Sequence, residues 1–169
     1  MAKPTDLYMQ YVSIPLDCVV QDINILVEAS INTGLSLRGN FAWLIHEVEF
    51  LWYLDSWAAN SWFEACLTSR IGETVMPQLE NPGVIDMHRM RCGLASTAND
   101  LLDQSKVYHH LPPVPFAGPK LSLYLQAGIT GVNWYAGRKL DCRIGFTTQD
   151  IDSKMYLELA ETWGYQAAT

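Results

Sequence analysis

The chain has 169 residues, of which 49% are hydrophobic and 17% charged, and its net charge is −7. That balance suits one domain with a real core and excludes a disordered chain, which needs low apolar content and high net charge. The acidic excess speaks against direct contact with a nucleic-acid backbone, and no apolar run is long enough to span a bilayer. The opening MAKPTDLYMQ lacks the charged start, apolar run and small-residue site of a signal peptide, so synthesis in the cytoplasm is expected.

Internal repeats are absent, and period-two alternation cut by Gly, Pro, Asn and Asp recurs instead. A first strand is expected from Leu7 to Ile14, closed by Pro15. Cys18 to Ala29 reads as the second, with Val19, Ile23, Ile25 and Val27 on one face, and Asn32-Thr-Gly34 as the turn after it. In the third, Phe41 to Leu54, the set His46, Val48, Phe50 and Trp52 points inward and alternates with Ile45, Glu47, Glu49 and Leu51. At its Phe41 end both faces are apolar, which calls for cover from another element or subunit. Ser61–Ser69 follows, then the turn signal Glu80-Asn-Pro-Gly83 and Val84–Arg91. Val107–Leu111, Lys120–Ala127 and Leu140–Thr148 complete eight strands, and Pro112-Pro-Val-Pro115 reads as a stiff connection between two of them.

Two segments favour helix. Ser96–Gln104 begins with a capping-type Ser and predicts a short helix within a loop. Asp152–Trp163 is the stronger: Asp152 or Ser153 can cap it, Met155, Leu159 and Trp163 share a stripe, and Gly164 stops it. A tail extended over a neighbouring subunit is the alternative for residues 149–169. The expected fold is an all-β, single eight-stranded jelly-roll sandwich over 1–169, with an immunoglobulin-like sandwich second.

Chemical motifs are scarce. The four histidines are His46, His88, His109 and His110. A small cupin-like metal enzyme would want His-x-His with a nearby Glu, and His46 has no such partner. His109 and His110 are adjacent, so in a strand they point to opposite faces and cannot share one metal ion. His46-Glu-Val-Glu-Phe50 lacks the second histidine of a zinc-protease helix, and no phosphate loop or nucleophile elbow occurs. No catalytic, metal-binding or cofactor-binding residue is therefore assigned. Cys18, Cys66, Cys92 and Cys142 are too widely spaced for a zinc site and read as buried free thiols, with one or two disulfides the alternative.

Six tryptophans draw the eye to 43–62, where Trp43, Trp52, Trp57 and Trp62 sit among Phe41, Phe50 and Tyr53. Core packing, a subunit contact and a sugar-stacking platform each account for such a cluster. Trp57, Trp62, Tyr156 and Trp163 are the candidates for a subunit interface, and a carbohydrate-binding sandwich would use Trp57 and Trp62. Arg89 and Arg91 share a strand face while acidic residues such as Glu158 and Glu161 gather elsewhere. A solvated surface explains this, and so would charges that set the register of one subunit on another.

The stretches "LPPVPFAGPKLSLYLQAGITG" and "RKLDCRIGFTTQDI" resemble the closing strands of a viral single jelly-roll capsid subunit. The chain resembles the smaller major capsid protein of tailless, membrane-containing double-stranded DNA phages of thermophilic bacteria, a group related to haloarchaeal icosahedral viruses. The resemblance implies a non-enzymatic virion protein that self-associates, beside a larger capsid protein and over an internal membrane. It carries no cofactor and no functional residue by motif.

Overall fold

Alternation sets one face of each strand against a second sheet, and the architecture follows from that. The computed structural model describes residues 7–15, 25–35, 41–54, 61–91, 102–128 and 139–163. The strands are β1 (Tyr8–Pro15), β2 (Ile25–Asn32), β3 (Phe41–Leu54), β4 (Trp62–Thr68), β5 (Val84–Arg91), β6 (Leu102–Phe116), β7 (Lys120–Gly128) and β8 (Lys139–Asp150), followed by the helix α1 (Ser153–Trp163). They form two antiparallel sheets in the orders β1-β8-β3-β6 and β2-β7-β4-β5. Except at β4–β5, each strand lies in the sheet opposite to the one before it. This wrapping is the jelly-roll order, two Greek keys folded together.

Between the sheets lie Phe50 and Trp52 of β3, Phe63 and Leu67 of β4, Leu121 and Leu123 of β7, and Leu140 and Ile144 of β8, all fully buried. Each such side chain contributes roughly 1.5–3 kcal/mol relative to exposure. Trp43 stacks on Phe146 with ring centroids 3.8 Å apart. The turns fall where the sequence places them: Gly34 and Gly83 both adopt positive φ, and Asn32 Oδ1 accepts from Gly34 N.

Three expectations are corrected. His46 does not join the inward set. Ile45 pairs with Phe146 and Glu47 with Gly145, so His46 is an extra residue that shifts the phase of β3. Ile45 is buried in the core, and His46 Nε2 lies 2.9 Å from Thr147 Oγ1. Second, the proline run is not a connection but part of β6, which also takes in residues 102–104 of the expected loop helix; residues 96–101 lie outside the described residues. β6 is an edge strand, where a residue without an N–H removes no obligatory ladder bond. Against Ile45–Glu47 its register jumps from Val114 to His109, leaving His110–Pro113 out of the ladder. Third, β2 runs on to Asn32 with Ile31 buried, while Cys18–Asn24 lies outside the described residues.

The apolar end of β3 is covered by α1. Asp152 Oδ1 caps the helix by accepting from Met155 N at 2.8 Å, and Tyr156 and Leu159 pack with Ile151, Ala42 and Ala117. Trp163 Nε1 donates to Pro115 O at 2.7 Å, Ser69 Oγ donates to Trp163 O at 2.7 Å, and the indole meets Phe116 edge-on. Among the described residues no helix is long and apolar enough to cross a membrane.

The helix is thus tied to both sheets through one residue. Trp163→Ala should lower unfolding stability by about 2–4 kcal/mol and Trp163→Phe by about 1 kcal/mol, because only the latter keeps most of the packing. Urea denaturation followed by circular dichroism measures both; equal losses would show that the indole hydrogen bond dominates.

Candidate functional site

Two places gather chemistry. The first lies between the sheets where β5 faces β6. The register jump in β6 turns His110 inward while His109 stays outside, its Nδ1 3.6 Å from Glu47. His110 Nε2 meets Asp86 Oδ2 at 2.8 Å, joining β6 to β5 across the core. Beside this pair, Tyr108 Oη lies 3.2 Å from His88 Nδ1, and the His88 ring stacks on Phe50. Burial pushes the Asp86 carboxyl up to about 6, with the His110 charge opposing. Burial, helped by Lys106, holds the His88 pKa down, so a neutral ring can accept the Tyr108 hydroxyl. Cys142 is buried, and burial together with the Asp86 and Glu49 charges keeps its thiol protonated; Cys66 is likewise pushed up to about 12, chiefly by burial. Both are free thiols, and neither supplies a nucleophile at neutral pH. Cys18 and Cys92 lie outside the described residues. The cluster therefore reads as a clasp between sheets. Among the described residues no three His, Cys, Asp or Glu side chains converge to hold a metal ion.

The second place is the outer face of the β2-β7-β4-β5 sheet. Half of that face is covered by the segment from Ser69 to Gly83: Met76 packs with Cys66 and Tyr124, Glu73 N donates to Tyr124 Oη at 2.9 Å, and Gly72 N donates to Glu28 Oε2 at 3.1 Å. Among the described residues nothing covers the other half. Across it run two cross-strand rows, Gly128–Trp62–Arg91 and Gln126–Glu64–Arg89. A Cβ at Gly128 would collide with the Trp62 indole, so glycine there lets the ring lie over β7. Glu64 is only 4% exposed and is neutralised by Arg89, which forks onto its carboxylate and also reaches Gln78 Oε1. Arg91 is exposed and has no ionic partner among the described residues. Trp62, Glu64, Arg89 and Arg91 line a hollow of about 400 Å³.

Of the expected interface residues, Trp62 lies at this hollow. Tyr156 is buried beneath α1 and Trp163 is largely turned into its own chain. Trp57 lies outside the described residues. Sequence reasoning found Arg89 and Arg91 but not Glu64 or Gly128; their role depends on which residues stand opposite across strands, and only the alternation of DMHRMR hinted at it.

No protein-family model matches the chain, and no curated protein matches it in sequence. Among solved structures it is similar to an aminopeptidase from the marine sediment archaeon Thaumarchaeota archaeon, at 9% identity and TM-score 0.40, over 86% of this chain and 33% of that one. It is also similar to the structure of infectious bursal disease virus Gx strain, at 9% identity and TM-score 0.27, over 96% of this chain and 50% of that one. The chain spans a third and a half of those two chains, and likeness of this degree assigns neither family nor activity.

The inter-sheet clasp makes stability depend on pH. The folded state holds the Asp86 proton more tightly than the unfolded state. The stability it contributes is therefore fully present below pH 4 and is lost as pH rises through about 6. Asp86→Asn should match the wild type near pH 4 and exceed it by roughly 2–3 kcal/mol at pH 7. Denaturant unfolding of both proteins across that range tests this, and a pH-independent difference would exclude the titration.

Proposed function

We propose that the protein is a structural subunit that self-associates into a shell, as single jelly-roll capsid proteins do, and that it is not an enzyme. The observation that carries this reading is the edge strand β1. Its outward Met9 and Tyr11 and its terminal Tyr8 are 39%, 62% and 55% exposed, and among the described residues only one side of the strand is paired. Solitary proteins blunt such edges with Lys, Pro or bulges, whereas Met and Tyr are enriched at subunit contacts. The proline-interrupted β6 shows that protection at the other edge of the same sheet. A place in the capsid of a bacteriophage, a larger companion protein and a nearby internal membrane are the finer parts of the proposal. They are supported by the sequence resemblance.

A second reading has its own observation: the Trp62 indole beside the open hollow offers a face on which a sugar ring could stack. Glycan-array binding lost in a folded Trp62→Ala protein would favour it.

Light scattering of the purified protein across concentration should show mass rising well above the monomer. Met9→Lys with Tyr11→Lys should raise the concentration needed by about ten-fold or more. A strict monomer at every concentration, alone and with a candidate larger capsid protein, would overturn the proposal.

A further inference from the structure

The open half-face on the second sheet is cationic on a chain whose net charge is −7. Arg89 is locked in place by Glu64, and Arg91 is exposed beside Trp62. The complementary surface lies on α1. Its outward stripe, Lys154, Leu157, Glu158 and Glu161, follows the i, i+3, i+4, i+7 spacing of one helix face. Leu157 is 57% exposed, and Glu158 has only a loose i,i+4 contact with Lys154 at 3.7 Å. Glu161 stands in the last turn, which contains no basic residue. A negative charge there opposes the helix dipole, so a cation from outside would relieve it.

These surfaces stand at opposite ends of the domain. α1 is fastened at Ser69 and Pro115, beside the end of β4, whereas Trp62 begins that strand. From Trp62 to Thr68 the strand runs ~20 Å. The helix of a chain therefore does not serve as cover for its own hollow.

We infer that the hollow at Trp62, Arg89 and Arg91 receives the α1 stripe Leu157–Glu158–Glu161 of a second copy of this chain. Leu157 meets the Trp62 indole, and the two glutamates meet Arg91 and the outer side of Arg89. The contact is head-to-tail, so every copy presents one hollow and one helix and growth continues to a ring or an extended array. This inference rests on the self-associating reading and adds which surfaces meet.

Charge reversal in two separate proteins tests it. Arg91→Glu alone, and Glu158→Lys with Glu161→Lys alone, should each need about ten-fold more protein to assemble. An equimolar mixture should recover wild-type assembly, because alternating copies join each reversed hollow to a reversed helix and each native hollow to a native helix. Circular dichroism confirms that both proteins are folded. If both variants assemble like the wild type, or if mixing does not rescue them, the inference falls while the shell reading stands. A wild type that never leaves the monomer overturns both. Glycan binding that depends on Trp62, with assembly unchanged in both variants, would give the hollow to a sugar instead.

Discussion

β3 is the strand on which the rest of the structure depends. It pairs with β8 on one side and β6 on the other, and it delivers Ile45, Val48, Phe50 and Trp52 to the core. One extra residue, His46, divides it into two phases. Gly145 stands opposite that point, where a Cβ would come within 2.6 Å of Glu47 Cγ, so glycine there leaves room for the Glu47 side chain beside the bulge. The same discontinuity lets β6 slip out of register and turns His110 toward Asp86. A single inserted residue thus fixes the inner face of one sheet and the polar clasp that ties it to the other.

The second sheet solves a different problem. Its central strands β4 and β7 are buried on both sides where the Ser69–Gly83 segment folds over them. Polar groups beneath that cover have partners: Ser122 Oγ donates to Glu28, and Thr68 Oγ1 donates to Gly83 O. Where the cover ends, the outer rows become aromatic and cationic. The boundary is held by Arg89, which bridges buried Glu64 and Gln78 of the covering segment.

Much of the fold was legible because local patterns decide it. The eight strands, the turns at Gly34 and Gly83, and the helix capped by Asp152 all follow from alternation, glycine placement and a capping side chain. The bulge at His46 was not legible, since strict alternation gives it the same parity as Val48. The prolines misled for a related reason: Pro112, Pro113 and Pro115 argue against a central strand but not against an edge strand, and edge status belongs to the whole sheet. The opposite facing of His109 and His110 could be read from adjacency alone. That His110 would find Asp86, or Arg91 stand opposite Trp62 and Gly128, depends on register between distant strands, which no short stretch encodes.

The interrupted edge of β6 has one more consequence. A sheet with two open edges can stack copy on copy without limit, as fibrils do. Here His110–Pro113 leave the ladder at one edge, which breaks the continuous row of main-chain groups that pairing along the whole of β6 would need. The prolines thereby work against a flat, endless ribbon built through this edge.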